Sequence, residues 1–192
     1  MRERWDGERD PLAALAAGRP EPFEEFVAAE AGSLLGFFRR LGAGPGEAED
    51  LVQETVLKLF KGAQNYQPNG RFEAYAFRAA RNVWIDSRRR AAVRERTASE
   101  SEDAGPMLVE DVPGREPEPF EEMQLEERSE LLYSAVRRLD ALHREAFELG
   151  VMQGLPYVEV SELLGVPIGT VKSRVYNAVQ RLREDLQRER GL

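Results

Sequence analysis

Cysteine is absent from the 192-residue chain, and histidine occurs once, at His143. Disulfides and cysteine-ligated zinc are excluded, as is any site built from several histidines. No run of about 18 apolar residues exists, so no membrane insertion is expected. The first ten residues, Met1 to Asp10, are charged and hold no apolar stretch of the signal-peptide kind, which makes a cytoplasmic location the expectation. Catalytic groups are also sparse. Glu47, Glu49, Asp50 and Glu54 come nearest to a metal cluster, but helical geometry spreads them over more than one face and no histidine is close by. No catalytic residue, metal or cofactor is therefore expected, and the chain is not read as an enzyme.

Acidity is abundant but unevenly placed. The net charge is −8, which seems to oppose binding to nucleic acid. Between Thr97 and Glu127, however, eleven carboxylates face a single cation, Arg115, so that segment alone carries −10. The remainder holds 26 basic and 24 acidic residues and is +2. Local fields govern binding more than the total, so the objection falls away. The same segment contains Pro106, Pro113, Pro117 and Pro119 and reads as a flexible linker, with Met107-Leu108-Val109 as a brief apolar patch.

Ahead of the linker the pattern is helical. Pro11 to Ala17 reads as a short helix with no assigned role. Pro22 to Phe38 carries Phe23, Phe26, Val27, Ala31, Leu34, Leu35 and Phe38 at spacings of three and four. Glycines 42, 44 and 46 with Pro45 break the chain. Glu47 to Lys61 forms a second helix with two faces. Val52, Val56, Leu59 and Phe60 are its expected core stripe. Asp50, Gln53, Glu54, Leu57 and Lys61 lie on another line, which suits either a solvated face with one exposed leucine or a docking strip for a basic partner helix. Asn65 to Gly70 is a loop. Arg71 to Arg90 forms a third helix that interleaves Arg71, Arg78, Arg81, Arg88, Arg89 and Arg90 with Phe72, Tyr75, Phe77 and Trp84. Guanidinium groups hold phosphates and aromatic faces stack on unpaired bases, so this mixture suits single-stranded nucleic acid. The plainer alternative makes the aromatics core and the arginines solubilising.

Beyond the linker, Leu131, Leu132, Val136 and Leu139 mark one helix, and Ala146, Leu149 and Val151 are expected core in the next. After Gly154-Leu155-Pro156-Tyr157, Val158 to Leu164, Gly165-Val166-Pro167 and Ile168 to Arg183 then read as helix, tight turn, helix. Ile168, Val171, Val175, Ala178 and Leu182 make the buried stripe of the second helix. Thr170, Lys172, Ser173, Arg174, Tyr176, Asn177 and Arg181 lie off it, as a recognition helix in a major groove requires. An ordinary amphipathic hairpin with a solvated face would look alike.

Three stretches together resemble the extracytoplasmic-function (ECF) group of bacterial sigma factors, the smallest members of the sigma-70 family. Ala48 to Leu57 (AEDLVQETVL) is similar to region 2.2. Arg71-Phe72-Glu73-Ala74-Tyr75 with Arg78 to Asn82 is similar to the passage from region 2.3 into 2.4. Gly154 to Arg174 is similar to region 4.2. The resemblance implies an all-α protein with two small helical domains, at 20–92 and 128–188, joined by the acidic linker 93–127 and flanked by tails at 1–19 and 189–192. It implies a factor that directs core RNA polymerase to promoters. Asp50, Gln53, Glu54 and Leu57 would contact the β′ clamp helices, and the C-terminal domain the β flap. Tyr66, Arg71, Tyr75, Arg78, Arg81, Asn82 and Arg88 would engage the −10 element and its flipped base. Thr170, Lys172, Ser173, Arg174, Tyr176, Asn177 and Arg181 would read the −35 element. The linker would pass near the RNA exit path. An anti-sigma protein is a further expected partner. Asn177 departs from the arginine frequent at its place, and asparagine favours adenine where arginine favours guanine. The competing reading is a freestanding helix-turn-helix regulator, or a sigma-like adaptor, that works without core polymerase.

Overall fold

Prolines and glycines punctuate the helices. Asp10 caps α1 (Pro11–Ala16), its Oδ1 accepting from the backbone N–H groups of Leu12 and Ala13. Pro22 lies in the first turn of α2 (Glu21–Leu41), and Pro45 begins α3 (Pro45–Gly62), where a missing N–H costs nothing. Gly42 closes α2 at φ 113°, and its N–H and that of Ala43 return to the Phe38 carbonyl. One 3₁₀ turn (Ala63–Asn65) leads to the loop before α4 (Phe72–Ser99). The second block comprises α5 (residues 132–138), α6 (Ala141–Phe147) with a π-type turn (Glu148–Met152), α7 (Tyr157–Leu164) and α8 (Ile168–Glu189). This computed structural model describes Trp5, residues 9–99 and residues 132–189; every regular element among them is helical. The apolar patch Met107-Leu108-Val109 and Leu131 lie outside the described residues.

The two blocks share one core. Leu34, Phe37 and Phe38 of α2 and Phe77, Ala80 and Val83 of α4 pack in one cluster with Leu149, Leu155, Val160, Val171 and Val175. A second cluster, within the first block, gathers Trp5, Leu12, Phe23, Phe26, Leu59 and Phe72. A third joins Val136, Leu139 and Phe147 to Ala178 and Leu182 of α8.

Polar groups cross the seam between the blocks in a connected network. Arg40 Nε and Nη2 donate to the two carboxylate oxygens of Glu148, each at 2.7 Å. Gln153 Nε2 donates to Glu148 Oε1 at 2.7 Å, and Ser33 Oγ donates to Gln153 Oε1 at 2.8 Å. Arg144 donates to the Leu41 carbonyl of α2, to the Arg137 carbonyl of α5 and to that of Leu139 just past it. It thus places one cation on two helix C-termini, where the macrodipole favours it. Burial nonetheless pushes its pKa below the ordinary arginine value.

Several expectations shift. The buried line of α3 is Ala48, Leu51, Thr55 and Leu59; Val52 and Val56 are half-buried, and Phe60 is 54% exposed. Thr55 is tolerated inside because its hydroxyl donates to the Leu51 carbonyl at 2.7 Å. Ile168, at the first position of α8, is exposed, as is Val151 in the π-type turn. The helix expected to end at Arg90 runs to Ser99, since Ala91 to Ser99 contains no glycine or proline to stop it.

Candidate nucleic-acid interface

Helix α8 offers the most regular surface. Its stripe of Val171, Val175, Ala178 and Leu182 is buried, which turns the opposite side outward. Lys172, Ser173, Tyr176, Asn177 and Arg181 are exposed there, with Thr170 and Arg174 half-buried at the edge. Among the described residues Tyr176 is the most open large hydrophobic side chain, at 64%. Ser161 Oγ donates to the Val166 carbonyl at 2.6 Å and ties the turn that sets α7 against α8. Gly165 occupies that turn at φ 66°, a conformation other residues rarely take. Ser173 Oγ donates to the Thr170 carbonyl, and Arg181 donates to Asp140. Asp140 also caps α6 and bonds His143 Nδ1, and these contacts hold its carboxyl well below the usual carboxylate range.

Helix α4 divides its arginines between two tasks. Arg78, Asn82, Ile85 and Arg89 follow one another at steps of four, three and four and are all exposed. Arg78, Asn82 and Arg89 make no side-chain hydrogen bond or ion pair among the described residues. Arg81, Arg88 and Arg90, with Arg71 just before the helix, are engaged. Arg71 pairs with Glu162 at 2.9 Å and lies 3.8 Å from Glu159, both on α7. Arg81 pairs with Glu145 of α6 at 3.0 Å. Arg88 pairs with Glu47 and stacks over Trp84, 4.3 Å from the ring centre. Trp84 is itself half-buried against the shared core.

Tyr66 points inward. Its hydroxyl donates to Asp10 Oδ2 at 2.8 Å, and its ring packs 4.8 Å from that of Tyr75 and 6.3 Å from that of Phe72. Burial and the Asp10 bond push its pKa above the ordinary phenol value. Gln64, Asn65, Gln67, Pro68 and Asn69 are exposed on the 3₁₀ turn and loop.

On the outer side of α3, Asp50, Gln53 and Leu57 are exposed, while Glu54 is bound by Arg90 at 2.9 Å. Between α3 and α2 lies an open apolar groove of about 360 Å³, lined by Phe23, Val27, Val52, Gln53, Val56, Leu57 and Phe60. The sequence pattern had assigned Val52, Val56 and Phe60 to the interior. Their outward tilt makes Leu57 part of a continuous apolar surface instead of an isolated residue. No group of three or more metal-binding side chains occurs among the described residues, and none of their helices is long and apolar enough to cross a membrane.

Comparison with known families settles what these faces belong to. Residues 26–94 match the model of sigma-70 region 2, and residues 129–182 match that of sigma-70 region 4. The ECF RNA polymerase sigma factor SigL of Mycobacterium tuberculosis is 32% identical over 149 residues, covering 77% of this chain and 79% of that protein. The chain belongs to the ECF group of the sigma-70 family. The ECF sigma factor SigE of Mycolicibacterium smegmatis is 34% identical over 165 residues, 85% of this chain, but this chain spans only 61% of that longer relative. Among solved structures, the sigma factor RpoE of Bartonella quintana, in complex with the anti-sigma factor NepR, superposes with a TM-score of 0.62 at 27% identity, covering 86% of this chain and 96% of that one. Sigma-70 region 2 thus contains α3, the loop and most of α4, and region 4 contains the helix-turn-helix.

Proposed function

We propose that this chain is a promoter-specificity subunit that directs core RNA polymerase to promoters with defined −10 and −35 elements and so initiates transcription in the cytoplasm. One observation carries the reading: both sigma-70 regions match, in order, the two helical blocks of one chain. The chemistry of RNA synthesis stays with the polymerase, and this chain supplies recognition.

The α3 face docks on the β′ clamp helices. Leu57 and the groove give the apolar contact, while Asp50, Gln53 and Glu54 meet basic side chains. The β flap takes the second block. Arg78 and Asn82, without a side-chain partner among the described residues, hold the −10 strand, and Arg89 extends their line. Lys172, Ser173, Arg174, Tyr176 and Asn177 enter the major groove at the −35 element, with Thr170 and Arg181 at the margins. Arg71 and Arg81 are bound by carboxylates of the second block in this arrangement. They reach phosphate only when Glu162 and Glu145 withdraw, so promoter binding exchanges internal ion pairs for DNA contacts. This arrangement presents the surfaces that an anti-sigma protein would cover, and the similar sigma factor of Bartonella quintana was solved with one.

The test measures duplex promoter binding by the free protein and by its mixture with core polymerase. The reading expects weak binding alone and promoter-selective binding with core. Equal, tight duplex binding without core would instead identify a freestanding helix-turn-helix regulator.

A further inference from the structure

The segment before residue 26 lies outside both matched regions, yet it grips the loop that precedes α4. Asp10 is 1% exposed and uses both carboxylate oxygens. Oδ1 caps α1, and Oδ2 accepts the Tyr66 hydroxyl at 2.8 Å. Trp5 packs edge-on against Phe26 with ring centres 5.8 Å apart, and Phe26 does the same to Phe72 at 4.8 Å. Trp5 also lines a cavity of about 30 Å³ together with Gly70, Arg71, Phe72 and Glu73. The loop is therefore held at its start by Asp10, and at its end Phe72 packs on Phe26, against which Trp5 lies. Between these anchors Gln67 and Asn69 face solvent, and Asn69 Oδ1 accepts the Arg71 N–H at 3.1 Å, which fixes the turn into α4.

We infer that Asp10 and Tyr66 form a brace that sets the shape of the 66–71 loop and thereby the base preference at the −10 element. Tyr66 is a positioning residue and does not itself stack on the base. Its ring is committed to Phe72 and Tyr75, and its hydroxyl to a buried carboxylate. The amide side chains of the loop are left to read the base, since amides pair with base edges. Discrimination of this kind demands placement to a fraction of an ångström, which a loop without an anchor does not provide. The inference rests on the promoter-reading function proposed above and adds the source of its −10 selectivity.

The experiment is transcription by cognate core polymerase on a promoter library randomised separately at the −10 and −35 elements. Full-length wild type, Tyr66→Phe, Asp10→Ser and the double variant are compared, with thermal melting of each. Tyr66→Phe removes only the hydroxyl. Asp10→Ser keeps a helix cap but is too short to reach Tyr66. The inference expects each single variant to lose −10 base discrimination several-fold, with the double variant no worse than either. The −35 preference stays at the wild-type level, and the Tyr66→Phe melting point falls by no more than a few degrees. Unchanged −10 preference in both single variants overturns the brace. So does an equal loss at both elements, which marks a purely structural role. A wild-type protein with no preference at either element overturns the function itself, and the inference with it.

Discussion

Arg40 and Glu148, 108 residues apart in the chain, meet in a two-point ion pair inside the seam between the blocks, with side chains 8% and 0% exposed. Gly36 makes the pairing possible. A Cβ there would come within 2.6 Å of Arg40 Nη1, whose guanidinium is already pinned by Glu148. Removing one member of such a buried pair leaves an uncompensated charge, which costs about 3–5 kcal/mol, whereas replacing both with apolar groups is often neutral. Glu148→Leu alone should therefore lower stability by roughly that amount, and Arg40→Met with Glu148→Leu should recover most of it. Chemical denaturation of the four proteins of the cycle checks this. Additive losses in the double variant would show that the pair is not coupled.

That pair also marks where sequence reasoning stops. The stripe Val171, Val175, Ala178, Leu182 was legible because α8 is amphipathic and its neighbours are polar. The pairing of Arg40 with Glu148 was not, because nothing local to either residue names a partner in the other block. In α3 the phase was misread for a different reason. Val52, Val56 and Phe60 are more apolar than Ala48 and Thr55, and only the packing between α2 and α4 decides which line is buried. The internal bond of Thr55 to the Leu51 carbonyl removes the polarity that had argued against it. The bond of Tyr66, expected at the flipped base, to Asp10 was likewise not legible, because Asp10 lies in a segment without a recognisable role.

The exposed apolar surface of α3 leads to a prediction about docking. Leu57→Asp places a charge on a rim that is 50% exposed and leaves the buried line Ala48, Leu51, Thr55 and Leu59 untouched. Stability should change by less than about 0.5 kcal/mol. Affinity for core polymerase should fall by at least about fivefold, since truncating a central apolar contact costs more than about 1 kcal/mol. Equilibrium titration with labelled core measures it. Wild-type affinity for Leu57→Asp would move the docking face away from α3.

On α8, Asn177 is exposed and makes no side-chain hydrogen bond or ion pair among the described residues, so it is available to a base edge. Asparagine pairs with adenine and arginine with guanine. Asn177→Arg should shift one −35 position from adenine towards guanine by about 1–3 kcal/mol of discrimination, with other positions unchanged. Selection of bound promoters from random DNA by the holoenzyme reads the shift directly. An identical preference at every −35 position for both proteins would remove Asn177 from the recognition surface.

Asp140 ties α6 to α8 and gives a pH-dependent contribution. His143, and then Arg181, hold its carboxyl below the unfolded value. The stabilisation is therefore complete above the unfolded pKa of about 4 and is lost as pH falls through the lower folded one. Exposure of the side chain keeps the effect modest. Asp140→Asn retains a helix cap but cannot titrate, so its melting temperature should fall less steeply below about pH 4 than that of wild type. Parallel acid limbs in the two proteins would contradict the assignment.

Under the proposed function, one chain reads two promoter elements on behalf of the polymerase. The most direct test is transcription of genomic DNA by cognate core polymerase with and without the protein, with every 5′ end mapped. New start sites should appear only with the protein and share two motifs at fixed spacing upstream, one near −10 and one near −35. Start sites unchanged by adding the protein, or new sites sharing no paired motif, would contradict it.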